Sequence, residues 1–246
     1  MCVRRTLATC FLKEEQVKDN SGILVSLSGG MDSAVVLSEA IATGRQVQAV
    51  SFSYGSKHNK FENIKANELA NHYGVKFNLL DFSSITAGFK SNLMQSGGPI
   101  PEGHYDDVSM AQTVVPGRNL IFISILTGLA WSRELGEVWI GIHRGDALTY
   151  PDCRPQFFTA MRDAVFTGSD GRIRLVAPFL DADKGGIVKR GLYLATPFQL
   201  TRTCYCDGII ACGRCGSCQE RLEAFAKNGQ DDPIEYSSRE LLPKSC

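Results

Sequence analysis

Two stretches of this chain put reactive residue types at spacings that suit ligands. The first is Ser28-Gly29-Gly30-Met31-Asp32-Ser33, which follows the apolar run Ile23-Leu24-Val25 and precedes Ala34, Val35, Leu37, Ala40 and Ile41. Apolar residues at that spacing form one helix face, which Gly44 ends, so the segment reads as strand, glycine loop, helix. Gly29 and Gly30 tolerate positive φ and leave room for a ligand against the main chain. Backbone N–H groups and the helix N-terminus can then converge on an anion, most simply a phosphate. A tight turn in which Ser28 or Ser33 caps the helix accounts for the same residues. Neither the dinucleotide fingerprint nor a Gly-Lys-Ser/Thr loop can be read here, so another nucleotide chemistry is needed.

The second stretch, "CYCDGIIACGRCGSC", carries Cys204, Cys212, Cys215 and Cys218 within fifteen residues, with Gly213 and Gly216 where the chain must turn about an ion. Tetrahedral zinc is the expected occupant. An iron–sulfur cluster, two local disulfides or unligated thiols are the alternatives. Cys206 is a fifth candidate that competes with Cys204 for the first ligand position, and Cys204 is preferred. Four protein sulfurs leave no open coordination position, which gives the metal a folding role rather than a chemical one.

The elements that position these groups follow from the rest of the chain. At 246 residues, 43% hydrophobic and 21% charged, it has the composition of a globular protein with one sizeable core. Its 26 basic residues balance 26 acidic ones. No net field favours nucleic acid or an anionic membrane, and a small-molecule substrate fits better. Leu120 to Trp131, the longest apolar stretch, is too short to span a bilayer, and the charged first twenty residues do not resemble a signal peptide. A cytoplasmic protein follows as the expectation, with its nine cysteines read as thiols or ligands before disulfides.

Strands are expected at 47–54, 75–81, 137–142 and 173–179. Helices are expected at 61–73, from a capping Asn119 through Leu135 with Gly136 after it, at 156–166 and at 185–194. Residues 82–116 read as a lid or substrate loop. Alternating strands and helices imply an α/β fold, a Rossmann-like parallel sheet with helices on both faces, plus a small C-terminal four-cysteine zinc-binding module. In such sheets ligands gather at the carboxyl ends of the strands, where the glycine loop, Tyr54 to His58 and His143 to Asp152 would meet. The expected division is an N-terminal extension at 1–21, a nucleotide-binding domain at 22–200 and the zinc segment and tail at 201–246.

Ser28 to Ser33 resembles the Ser-Gly-Gly-x-Asp-Ser loop of the ATP pyrophosphatases, whose fold is that of the adenine nucleotide alpha hydrolases. "SLSGGMDS", "SYGSKH", "VPGRN", "TYPDCRP", "PFLDADKGGIVK" and the spaced cysteines together resemble bacterial 7-cyano-7-deazaguanine synthases over roughly residues 22–225. The resemblance implies an ATP-dependent carbon–nitrogen ligase of queuosine biosynthesis, and a zinc-containing homodimer. It would convert 7-carboxy-7-deazaguanine and ammonia to the nitrile. On that resemblance Leu27, Ser28, Gly29, Gly30, Met31, Asp32, Ser33, Phe52, Tyr54 and His58 bind ATP, and Asp32 holds Mg²⁺ unless it merely caps the helix. Lys184 offsets charge at the α-phosphate unless it is a surface lysine. Arg118, Asn119, Tyr150, Asp152 and Arg154 bind substrate. Asp152 would accept from a guanine-like edge, and Arg118 or Arg154 would meet the carboxylate. Asp32, Lys184, Arg118 and Asp152 form the expected catalytic set.

Cys153 is read as a packed thiol in preference to a nucleophile, and His58 and His143 as proton carriers, phosphate contacts or structural residues. The first twenty residues depart from the family pattern. They read as an added strand or frayed extension, although Cys2 would become an N-terminal thiol once Met1 was removed. Too short for a glutaminase domain, they leave free ammonia, or ammonia from a partner, as the nitrogen donor. Two other readings share these motifs. One activates a deazaguanine carboxylate for a protein or nucleic-acid acceptor, and the other is a zinc-containing binding module without catalysis.

Overall fold

The computed structural model describes residues 22–104 and 108–242; the N-terminal extension and Cys2 lie outside them. Five parallel strands, β1 (Gly22–Ser26), β2 (Val47–Ser53), β3 (Lys76–Asp81), β4 (Leu135–Trp139) and β5 (Arg174–Val176), form one sheet in the order β3-β2-β1-β4-β5. Helices α1 (Met31–Ala42), α2 (Asn59–His72), α3 (Ser83–Thr86), α4 (Arg118–Ser132), α5 (Asp146–Thr149), α6 (Pro155–Gly168), α7 (Lys184–Tyr193) and α8 (Gly216–Lys227) connect and cover it. β1 is apolar at three consecutive positions because both its faces are covered. Leu24 packs with Ile123 and Leu126 of α4 and Met161 of α6. Ile23 and Val25 pack instead with Val35 of α1, Leu69 of α2, Ile187 of α7 and Phe225 of α8. The strand order reverses between β1 and β4, so the crevice that binds ligands in such sheets opens at the carboxyl ends of those two strands.

Several expected boundaries move, each for a local reason. α4 starts after Gly117, which takes φ +65°, so Asn119 is its second residue and not its cap. The helix ends at Ser132, and Glu134 at φ +56° turns the chain, which places Leu135 and Gly136 inside β4 beside β1. Gly136 is therefore a strand residue, not a helix terminator. β5 stops at Val176 because Pro178 has no N–H with which to extend a ladder. Gly216 opens α8, leaving Gly213 as the glycine that turns the cysteine segment: at φ +74°, a Cβ there would lie 1.7 Å from the Ser238 carbonyl oxygen.

The described residues of the segment expected as a lid are packed down. Leu93 and Met110 are fully buried, Lys57 Nζ donates to the carbonyls of Asn92 (3.0 Å) and Gly97 (3.1 Å), and Glu102 pairs with Arg214 of the cysteine segment. No helix among the described residues is long and apolar enough to cross a membrane.

Candidate functional site

The chain leaves β1 into the glycine loop with Gly29 at φ +84°, where a Cβ would lie 2.3 Å from the carbonyl oxygen of Glu62 on α2. Only glycine lets the loop lie that close to α2. Gly30 keeps an ordinary φ of −74°, so one of the two glycines, not both, uses the left-handed region. The serines tie the loop to itself: Ser33 Oγ donates to Gly30 O at 3.0 Å, and Ser28 Oγ accepts from Gly30 N at 3.2 Å. No side chain caps α1. The N–H groups of its first turn are thus left to an anion, as helix N-termini allow.

This loop forms one wall of a cavity of ≈ 180 Å³. Of the expected ATP-site residues, Leu27, Ser28, Gly30, Asp32, Ser33, Phe52, Tyr54 and His58 line it, as do Lys184, Arg118 and Asn119. Gly29 and Met31 are not in the lining: Gly29 packs on α2, and Met31 is fully buried in the core.

Two groups of titratable side chains face the cavity. The first centres on Lys184, held at the start of α7, whose cap Asp183 accepts from Gly186 N. Lys184 Nζ donates to Asp32 Oδ2 at 2.7 Å, lies 3.1 Å from Glu220 Oε2 on α8, and lies 3.1 Å from His143 Nε2. His143 accepts from Gly145 N through Nδ1 and approaches Asp146 Oδ2 to 3.4 Å. Burial alone would lower the lysine's pKa, but the charges of Asp32, Glu220 and Asp146 reverse this and raise it. Burial opposes ionisation of Asp32, and Lys184 and His143 outweigh it, so the carboxyl is held below its ordinary value. Asp32 Oδ1 is buried without a partner.

The second group is His58, Glu62, Tyr54 and Arg118. Tyr54 Oη lies 3.3 Å from His58 Nε2, and Glu62 Oε2 lies 3.4 Å from the same nitrogen. Burial, aided by the Arg118 charge, lowers His58 to about 3, and burial raises Glu62 to about 8 against the pull of Arg118 and Arg202. At neutral pH their contact joins a neutral imidazole to a largely protonated acid, not an ion pair. Phe52 stacks on Phe122 at 4.0 Å between centroids as an apolar floor.

The expected substrate residues separate. Asp152 Oδ2 accepts from the backbone N–H of Asn119 at 2.8 Å, and the Asn119 side chain donates to Asp152 O and Cys153 Sγ, so this pair braces the start of α4. Tyr150 is buried behind the cavity, its hydroxyl bonded to Thr113 and Tyr205. Arg154 is exposed and turned to the carbonyl of Ala147. Arg118 is the arginine brought to the cavity. Burial, with Asp146 and Asp152 nearby, pushes the Cys153 thiol well above its usual range, which keeps it protonated and packed. Sequence reasoning missed Glu62, Asp146, Thr203, Tyr205, Ser217 and Glu220. Glu62 and Asp146 had local signals, four residues after His58 and three after His143.

The sulfurs of Cys204, Cys212, Cys215 and Cys218 lie within 4.8 Å of one another. Tetrahedral bonds of about 2.3 Å place sulfurs about 3.8 Å apart, and Cys212 Sγ lies 3.9 Å from Cys218 Sγ. Backbone N–H groups of Cys212, Arg214 and Cys215 point at these sulfurs, as thiolate ligands require. The donor set therefore fits a tetrahedral metal ion, with Cys204 and not Cys206 completing it.

Known proteins resemble this chain in sequence and in fold. A 7-cyano-7-deazaguanine synthase 2 of Colwellia psychrerythraea is 45% identical over 216 residues, 87% of this chain and 98% of the relative. A 7-cyano-7-deazaguanine synthase of Pseudoalteromonas atlantica is 43% identical over 214 residues, again 87% and 98%. Among solved structures, the U34-tRNA thiolase NcsA of Methanococcus maripaludis superposes with a TM-score of 0.50 at 14% identity, covering 87% of this chain and 67% of that one, a likeness of fold alone. The family described as queuosine biosynthesis protein QueC matches residues 22–229, and the chain belongs to it.

Proposed function

We propose that this chain is an ATP-dependent carbon–nitrogen ligase that makes 7-cyano-7-deazaguanine from 7-carboxy-7-deazaguanine and ammonia. The name borne by its relatives along nearly their whole length supports the reading. The observation that carries it is the convergence of Asp32, Lys184, Arg118 and the glycine loop on one cavity. A carboxylate is a poor electrophile and must first gain a leaving group. Its oxygen attacks the α-phosphorus of ATP, and pyrophosphate departs into the loop at the start of α1. Lys184, kept charged by its carboxylate neighbours, offsets charge gathering at the α-phosphate. Arg118 pairs with the substrate carboxylate and orients it.

Ammonia then adds to the acyl adenylate, AMP leaves, and one proton is lost to give the amide. The amide oxygen attacks a second ATP with loss of pyrophosphate and a proton, and departure of AMP with the remaining N–H proton yields the nitrile. Mg²⁺ supplies charge neutralisation on the phosphates, and the unpartnered Asp32 Oδ1 suits a hard cation. Zinc is the metal of the cysteine cluster on the strength of its four-sulfur donor set. A homodimer belongs to the same reading through the family resemblance.

The test is carboxylate-dependent pyrophosphate release by wild type and Asp32→Asn at saturating Mg²⁺, with mass spectrometry of the product and metal content as controls. Loss of a charge-neutralising contact is worth several kcal/mol, so the variant is expected to lose at least about a hundredfold in rate while keeping its fold. Equal rates, or a carboxylate that reaches a macromolecule without free nitrile, would overturn the reading.

A further inference from the structure

The cysteine segment does more than close on itself. Thr203, Tyr205 and Ser217, each next to a ligand cysteine in sequence, line the cavity. Arg202 N donates to the carbonyl of Gly29 in the glycine loop at 2.8 Å. Cys215 caps α8 and Cys218 is its third residue, so the sulfur cluster fixes where the first turn of this helix lies. Glu220, two positions on, reaches back to Lys184 at 3.1 Å with its side chain 15% exposed. α8 also holds α7 directly, through Asn228 Nδ2 to Gly185 O at 2.9 Å.

Among the carboxylates around Lys184, Asp32 and Glu220 come within 3.1 Å and differ in standing. Asp32 belongs to the ligand-binding loop, takes the ammonium's hydrogen bond through Oδ2 and has Oδ1 without a partner, whereas Glu220 faces the ammonium through Oε2 as a charge contact without a hydrogen bond and stands on a helix anchored by the cysteines. An ammonium bound to Asp32 alone would form a closed one-to-one pair, and a divalent cation would have to compete with it for that carboxylate. Glu220 gives the ammonium a partner that stays. Asp32 can then turn to incoming cation and phosphates without stranding a buried charge, which is costly to leave unpaired.

We propose that Glu220 is a positioning residue that holds Lys184 and frees Asp32 for the cation accompanying ATP, so that the cysteine cluster sets the geometry of the activation site. This rests on the ATP-dependent reading given above. The experiment is calorimetric titration of the intact, metal-containing protein with ATP over a series of Mg²⁺ concentrations, for wild type, Glu220→Gln and Glu220→Asp. Glu220→Gln is expected to keep its bound metal and thermal midpoint, and to need about tenfold more Mg²⁺ for half-maximal tightening of ATP. Glu220→Asp keeps the charge and is expected to stay within threefold of wild type. An unchanged Mg²⁺ midpoint in Glu220→Gln overturns the proposal, and so does an equal shift in both variants. Loss of metal or of thermal stability in Glu220→Gln would assign the residue to folding of α8 and overturn it too. Wild type that binds no ATP at any Mg²⁺ concentration would instead overturn the ATP-dependent reading itself.

Discussion

The Lys184 cluster gathers the carboxylates of Asp32 and Glu220 about an ammonium that the chain itself carries, whereas the cysteine cluster gathers four sulfurs that could hold a metal ion. The first is closed by the fold. Lys184 stands 152 positions from Asp32, and the two meet because the crevice between β1 and β4 brings the glycine loop to the start of α7. The second closes within fifteen residues, and its four sulfurs are placed to hold a metal ion. A charge cluster with a built-in cation stays paired when a ligand draws one carboxylate away, whereas four sulfurs about one metal ion would suit a part that never opens.

Removing a sulfur should break the comparison most visibly. Cys215 is 1% exposed, and structural zinc sites in small peptides are worth about 10–16 kcal/mol, as large as the whole stability of an ordinary domain. Cys215→Ser is expected to lose bound metal and most soluble protein, measured by metal analysis and circular dichroism. A metal-free variant melting with wild type would show that the cysteine segment stands alone, as the lysine cluster does. Cys206→Ser, outside the four mutually close sulfurs, is expected to keep metal and thermal midpoint.

Removing the built-in cation should cost less but be felt in the same currency. Lys184→Met keeps volume while leaving Asp32 and Glu220 buried and facing one another. Breaking a buried pair typically costs about 3–5 kcal/mol, or roughly 10 °C in a chain of this size. The loss should be larger at pH 8 than at pH 5, because protonation relieves the repulsion, and metal content should not change. An equal loss relative to wild type at both pH values would mean that the two carboxylates do not sense each other.

The same contrast explains what could be read from the sequence. The cysteines and the glycine loop are local, so their spacing alone marked them as candidate ligand sites. Asp32 and Lys184 were named through the family resemblance, and Asp146 stands three residues from His143, but Glu220 carries no local signal, since it reaches Lys184 only through the docking of α8. Asp152 is the opposite case: its motif was visible, but not that one of its carboxylate oxygens accepts from the start of α4. The sheet and its helices followed from apolar periodicity, and the errors fell where Glu134 and Pro178 decide boundaries.

Glu62 supplies the third term of the comparison, an acid whose close contact is an imidazole kept neutral by burial. Its side chain is 13% exposed, and burial raises its pKa from 4.5 to about 8, with Arg118 and Arg202 offsetting only part of that cost. A carboxyl raised in this way keeps its proton in the folded state over a range where the unfolded chain has lost it. Its contribution is fully present below pH 4.5 and disappears as pH rises to about 8. Glu62→Gln has no proton to lose, so its thermal midpoint relative to wild type should climb between pH 6.5 and 8 and level off by pH 9. The acid side is avoided because His58, lowered to about 3, destabilises the fold as pH falls below 6.5. The expected gain is a few degrees, smaller than either loss above, and thermal midpoints at pH 6.5, 8 and 9 read it directly. Parallel curves would mean that Glu62 ionises freely in the folded protein, with Arg118 or Arg202 serving as its cation in the way that Lys184 serves Asp32.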